Sequence, residues 1–228
     1  MHLLGRTLTG IGFQVAFFAA LMFLPIGTFD WPAAIIWLQV FAAISVLSGL
    51  YLLSVRPEAV EARMRAGREA QTPADRLAFG FMSLALTLPL VVASLDVFYW
   101  QLVAQPSATS QKLGMAIFLV GFIVVLLAML HNEFAAPTVH IQEAAGHKLA
   151  DGGIYGYLRH PMYTGFLLFT SGTTLWLGST VATALAAIML TISIIYRIGI
   201  EEATLRIELP GYDDYTRRVK TRFLPFIY

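Results

Sequence analysis

Cysteine is missing altogether from these 228 residues. Disulfides, thiolate metal sites and cysteine nucleophiles are thereby excluded, and the redox compartment stays unread. Charge is scarce as well: Asp, Glu, Lys and Arg make up 13% of the chain against 57% hydrophobic residues, and the mean hydropathy is +0.70. An ordinary soluble domain carries about 25% charged residues, so water is not the main solvent of this chain. Neither sign of charge dominates. The net charge is +1 and the pI lies near 8.0, too weak a global field to recruit nucleic acid. Asparagine occurs once, at Asn132. No internal repeat or low-complexity tract is found, which weakens a reading as an inverted-repeat transporter.

What is present is a series of long apolar runs. A helix crosses about 30 Å of hydrocarbon in roughly 20 residues, and spans are expected at about 8–26, 32–54, 77–99, 112–133, 162–178 and 180–200. The fold class implied is an all-α polytopic membrane bundle of about six transmembrane helices. The first run, Ile11 to Leu24, superficially resembles a secretory signal, but it has no small-x-small site before Pro25 and further spans follow; it is expected to stay as the first membrane helix. Short connections at Pro25 to Pro32 and at Gly178-Ser179 pair spans one with two and five with six. Short translocated loops exclude Lys and Arg. In this arrangement fourteen of the fifteen basic residues fall on one side and only Lys112 lies opposite, so both termini are expected in the cytoplasm. The polar stretch from Pro57 to Arg76 is expected to form a short interfacial helix ending in a Thr72-Pro73-Ala74-Asp75 cap. It reads first as a solvated connector and secondly as a substrate gate.

Residues 1–134 read as a scaffold of four helices, and polar residues crowd into 135–228. From His147 to Gly165 the chain holds a Gly152-Gly153 turn, then Tyr155 and Tyr157, then Arg159-His160 ahead of Pro161, which can begin a helix. Exposed backbone donors in such a turn can hold a carboxylate, and tyrosines can pack an adenine. On composition alone a juxtamembrane loop, with Arg159 snorkelling and the tyrosines forming an interfacial belt, serves as well. Further on, Arg197 precedes Glu201-Glu202, and a spacing of four puts Arg197 and Glu201 on one helix face, where they can pair. Arg197 could equally mark the cytoplasmic end of the last span. His131, Glu133 and His140 invite a metal proposal, yet none has the close spacing of a helical zinc motif, and no metal is expected.

The blocks Gly153-Ile154-Tyr155 and Arg159-His160-Pro161-Met162-Tyr163-Thr164-Gly165, then Arg197, Glu201-Glu202 and Leu205, then Pro210-Gly211-Tyr212-Asp213-Asp214-Tyr215 and Leu224-Pro225-Phe226, resemble in order and spacing the isoprenylcysteine carboxyl methyltransferase family. The resemblance runs from about Val139 onward; earlier residues share only the character of membrane helices. It implies methyl transfer from S-adenosylmethionine, bound in a cytoplasm-facing cavity closed by the C-terminal segment, to a lipophilic or lipid-linked acceptor entering from the bilayer. Carried onto this chain, it implies that His147, Leu149, Gly153, Tyr155, His160, Pro161, Tyr163 and Glu202 line the cofactor, and that Arg197 and Glu201 face the acceptor. The chain departs from its relatives at Ile154 and Gly156, where they commonly have proline and a basic residue.

The acceptor expected first is a carboxylate such as that of a prenylcysteine. Arg197 would then orient it while Glu201 fixes the arginine. For an amine acceptor, Glu201 or Glu202 would instead remove a proton. The rival readings are a phospholipid amine methyltransferase, a sterol-type reductase binding NADPH in a similar C-terminal core, and a non-catalytic carrier or assembly factor. The double glutamate after Arg197 and the short tail favour methyl transfer over reduction.

Overall fold

The computed structural model describes residues 3–58, 60–61, 73–132 and 149–224. Six long helices and one short one make up this part: α1 Leu3–Phe23, α2 Pro32–Val55, α3 Pro73–Leu95, α4 Ala108–His131, α5 Pro161–Trp176, α6 Thr180–Glu208 and α7 Tyr212–Arg218. A π-turn, Asp96–Trp100, extends α3, and a 3₁₀ turn, Gly153–Gly156, precedes α5. The described residues contain no strand. Most of the expected polar connector between the second and third spans lies outside the described residues, as do His147, Glu133, His140 and the Pro225-Phe226 end of the tail.

Helix boundaries follow local chemistry. Pro32, Pro73 and Pro161 open α2, α3 and α5, where a missing N–H costs nothing. Ser107 and Ser179 cap α4 and α6 by accepting from the backbone of Ser110 and Ala182. Five helical segments are long and apolar enough to cross a membrane: Leu3–Phe23, Pro32–Val55, Asp75–Trp100, Ala108–His131 and Thr180–Glu208. The chain is thus an integral, multi-pass membrane protein. The expected fifth span needs correction. α5 has 16 residues, about 24 Å at 1.5 Å per residue, and does not reach the length of the others. The last span was also expected to end near residue 200, whereas α6 continues to Glu208.

Small residues decide the closest packing. A Cβ on Gly121 of α4 would lie 2.4 Å from the Phe169 backbone nitrogen, and one on Gly172 of α5 would lie 2.3 Å from that of Phe118. Gly114 and Gly165 sit in the same seam, so the α4 and α5 backbones touch directly, the packing that membrane helices use in place of a hydrophobic drive. Around it Trp37 and Phe41 of α2 stack at 5.1 Å, and both meet Phe169 edge-on.

α3 and α6 run antiparallel. Arg197 meets Asp75, the Ser193 hydroxyl donates to the Phe81 carbonyl at 3.4 Å, and the Ser179 hydroxyl donates to Asp96 Oδ2 at 2.6 Å. The buried Asp96 carboxylate also accepts from the Leu102 N–H at 3.1 Å, which ties the π-turn to the α5–α6 connection. Tyr99 donates to the Ile26 carbonyl at 3.1 Å and Trp176 to that of Ala33 at 2.7 Å, so the α1–α2 turn shares that end of the bundle. The polar motifs collect at the other.

Candidate functional site

Four stretches of chain meet at that second end: the start of α3, the turn into α5, the last turns of α6, and the segment from α7 to Leu224. Pro161 starts α5 abruptly and leaves His160 at the N-cap position. The tail fixes this turn by adding backbone hydrogen bonds: the Arg159 N–H donates to the Thr221 carbonyl at 3.1 Å and the His160 N–H to that of Arg222 at 2.8 Å. Thr164, one turn into α5, donates its hydroxyl to the Phe223 carbonyl, and Phe223 is wholly buried between α3 and α6. The tail therefore belongs to the site.

One network unites most of the expected residues. Arg197, buried on α6, pairs through Nη1 with the buried carboxylate of Asp75 and donates from Nε to the Tyr163 hydroxyl at 3.3 Å. That hydroxyl in turn donates to Glu201 Oε2 at 2.6 Å, so Tyr163 links Arg197 to Glu201. The His160 ring packs on Tyr163 with centroids 5.8 Å apart, its Nδ1 lying 3.8 Å from Glu201 and its Nε2 3.2 Å from Glu202. Glu202 is buried and also meets Arg159 at 3.3 Å and Arg222 at 3.5 Å. Among the described residues, three guanidiniums, of Arg159, Arg197 and Arg222, thus face three carboxylates, of Asp75, Glu201 and Glu202. Burial of such a set is tolerable only because the charges are paired.

Of the remaining expected residues, Leu149 and Tyr155 lie against α7 and Gly153 against His131 of α4. Gly153 adopts φ +56°, and a Cβ there would fall 2.1 Å from the His131 ring, so both backbone and space demand glycine. Tyr155 is buried, and its carbonyl accepts from the Tyr215 hydroxyl at 2.7 Å. Leu149 packs on the buried cluster of Leu209, Tyr212, Tyr215 and Val219. Outside, Arg218 and Asp151 pair at 2.8 Å. His160, Pro161, Tyr163, Arg197, Glu201 and Glu202 are thus brought together, Leu149, Gly153 and Tyr155 form a neighbouring wall, and His147 lies outside the described residues.

Sequence reasoning missed Asp75, Arg222 and Tyr212. Asp75 was read as part of a helix cap, and only its place at a membrane edge hinted at more. Tyr212 is 3% exposed and its hydroxyl has no hydrogen-bond partner among the described residues; the Arg159 Nε is likewise buried without one. Burial, with the Glu202 and Glu201 carboxylates nearby, pushes the Tyr212 hydroxyl far above the usual tyrosine range. It stays protonated and can donate. Two buried donors without acceptors, beside a carboxylate that is already paired, make a place for an acceptor-bearing polar group.

A model of the phospholipid methyltransferase family matches residues 109–207. Protein-S-isoprenylcysteine O-methyltransferase of Schizosaccharomyces pombe is 40% identical over 75 residues, which cover 32% of this chain and 31% of that protein. The probable protein-S-isoprenylcysteine O-methyltransferase of Oryza sativa subsp. indica is 31% identical over 118 residues, 47% of this chain and 61% of that one. The chain therefore spans less than two thirds of these relatives. Among solved structures, the eukaryotic intramembrane Ras methyltransferase, isoprenylcysteine carboxyl methyltransferase, is similar in fold, with a TM-score of 0.54 at 20% identity over 93% of this chain and 75% of that one. The family match over α4 to α6, the named relatives and the shared membrane fold thus make this chain similar to isoprenylcysteine carboxyl methyltransferases.

Proposed function

We propose that this protein transfers a methyl group from S-adenosylmethionine to the carboxylate of a lipophilic, prenylcysteine-like acceptor. The observation that carries the reading is the buried arginine Arg197, held by Asp75 and Tyr163 at the inner end of a membrane helix pair, together with relatives named for O-methylation of prenylcysteine. A planar guanidinium can grip a carboxylate through two parallel hydrogen bonds, and a charge at this depth is costly without a task or a partner.

The residues present fit the methyl donor. The Tyr212 hydroxyl and Arg159 Nε are buried donors awaiting an acceptor, Leu149 and Tyr155 offer an apolar and aromatic wall, and Glu202 and His160 supply polar contacts. When bound, S-adenosylmethionine supplies a methyl carbon on a sulfonium: a bond forms from the acceptor oxygen to that carbon as the carbon–sulfur bond breaks, leaving a neutral thioether. For an ionised acid no proton has to move. The protein's part is orientation and exclusion of water, worth about 7 to 11 kcal/mol when good. Arg197 aligns the acceptor carboxylate. Glu201, through the Tyr163 hydroxyl, holds the network that Arg197 belongs to. Residues 1–134 serve as scaffold and 135–228 as the transferase core, with Asp75 as the scaffold's contribution to the site. We place this site and both termini on the cytoplasmic side, from the fourteen-to-one distribution of basic residues.

Purified protein incubated with methyl-labelled S-adenosylmethionine and an N-acylated S-farnesylcysteine should yield a labelled product by mass spectrometry. Base should release that label as methanol, since an ester hydrolyses and a methylated amine does not. Label appearing only in amine lipids would replace this acceptor by a phospholipid. Absence of label, with no calorimetric binding of the methyl donor to folded protein, would remove the methyl-transfer reading.

A further inference from the structure

We infer that Asp75, at the first turn of α3, is a positioning residue of the acceptor site, setting the orientation of the Arg197 guanidinium; the inference rests on the methyl-transfer reading above. Asp75 is 2% and Arg197 4% exposed. Pairing them joins the start of α3 to α6 across 122 residues of sequence. Taking two charges out of water costs several kcal/mol per ion, so a buried pair is weak evidence of a device for stability. It is better evidence of a device for fixing geometry. Nη1 of Arg197 is committed to Asp75 and Nε to the Tyr163 hydroxyl. Two contacts at different nitrogens fix the plane of the guanidinium, which a single contact does not.

Glu201, one turn further along α6, cannot substitute as the sole brace. Its Oε2 accepts from the Tyr163 hydroxyl at 2.6 Å and its Oε1 lies toward His160. With Asp75 removed, Arg197 would lose the carboxylate that meets its Nη1. The displaced charge of Arg197 would then be drawn toward Glu201, four residues away on the same helix, and both groups proposed to serve the acceptor would lose their places together. Asp75 also lies outside the stretch 109–207 that the family model covers. The site is therefore completed by a helix outside that stretch.

The test compares Asp75→Asn and Asp75→Glu with Asp96→Asn, all in the full-length protein. Asp96 is the matched control: a buried carboxylate at the opposite end of the same helical segment, holding Ser179 and Leu102. With the farnesylcysteine acid as probe, Asp75→Asn should lower kcat/KM by about tenfold or more, with the Kd of the methyl donor within about threefold of wild type. Asp75→Glu, which restores the charge one methylene further out, should fall between. Asp96→Asn should lose thermal stability and keep kcat/KM per folded molecule. Calorimetry of the acid against its methyl ester, with the demethylated donor product present, gives a readout without turnover: wild type should prefer the acid and Asp75→Asn should not. Wild-type kcat/KM and wild-type preference for the acid in Asp75→Asn would overturn the positioning role while leaving methyl transfer intact. Failure of the wild-type protein in both assays would overturn both. Where Asp75→Asn does not fold, Asp75→Glu decides: a threefold or greater drop with unchanged donor Kd supports the role, and wild-type values refute it.

Discussion

Arg197, Glu201 and Tyr163 share two hydrogen bonds that meet at one phenolic oxygen, and this makes their substitutions interdependent. A snorkelling arginine would tolerate lysine; an arginine whose Nε and Nη1 are separately engaged would not, because an ammonium has no planar fork. Arg197→Lys and Glu201→Gln are each expected to lower turnover by roughly tenfold, about 1.4 kcal/mol in the barrier, with donor affinity changed far less. Tyr163→Phe, which deletes the shared oxygen, should fall in the same range, and Arg197→Lys combined with Glu201→Gln should be less than additive. Wild-type turnover in Arg197→Lys would return the arginine to a topological marker. Tyr212 gives the opposite pattern. Its buried hydroxyl has no partner among the described residues, so Tyr212→Phe should leave the melting temperature unchanged or slightly raised, while weakening donor binding several-fold by calorimetry; unchanged affinity would remove Tyr212 from the proposed donor site. These residues were unequally legible in the sequence. Arg197 and Glu201 could be paired from helical spacing alone, and His160 from its place before Pro161. Asp75 and Arg222 could not, because their contacts depend on the α3–α6 register and on the course of the tail, and no local pattern encodes either.

At the level of elements, hydropathy located α1, α2, α3, α4 and the apolar part of α6, since each buries or exposes enough carbon to cross a bilayer. It ended α6 too early because charge accumulates after Arg197, and a hydropathy window cannot know that Arg197 and Glu202 find buried partners and let the helix continue. It also overlooked the seam between α4 and α5. Gly114 and Gly121, like Gly165 and Gly172, recur at two turns of helix, and their meaning emerges only when a Cβ on any of them would strike a facing backbone or side chain. Gly121→Ala and Gly172→Ala are each expected to cost about 1 to 3 kcal/mol, the range of an overpacked contact, read as a lowered melting temperature in detergent. Gly80→Ala is the comparison: nothing lies within 4 Å of its would-be Cβ, and alanine is the better helix former, so stability should hold or rise. Because α5 carries Tyr163 and follows directly on His160, the seam variants should lose turnover beyond what their folded fraction explains. Equal melting temperatures for Gly121→Ala and Gly80→Ala would show that the seam yields.

For the whole molecule the issue is how a 16-residue helix is accommodated among five longer ones. The structure sorts its described basic residues along the bundle axis: Arg56 ends α2, Arg76 lies at the start of α3, Arg159 precedes α5, and Arg197 and Arg206 lie on the last turns of α6, all at the end that holds the site, while Lys112 lies at the start of α4 with Asp96 and Ser179 at the other. α5 starts at the site end and finishes beside Asp96, so it traverses the bundle although about 24 Å falls short of about 30 Å of hydrocarbon. The difference is absorbed by the turn that follows. Leu177 is 1% and Ser179 0% exposed, Gly178 takes φ +96°, and the Ser179 hydroxyl is bonded to Asp96. Non-helical backbone is tolerated at membrane depth when it is buried in protein, and this turn is buried, so α5 has no need to reach the lipid headgroups itself. Two expectations follow for the protein in its native membrane. A reporter inserted at residue 106, in the exposed α3–α4 connection, should lie opposite the cytoplasm, and one fused at the C-terminus should lie within it. A polar tag inserted after Gly178 should abolish assembly, because it would force a recessed turn to the surface, whereas the same tag at residue 106 should be accepted. A cytoplasmic signal at 106 would reverse the orientation read from the arginines, and a tolerated tag after Gly178 would show that the turn is at the membrane surface and that α5 crosses some other way.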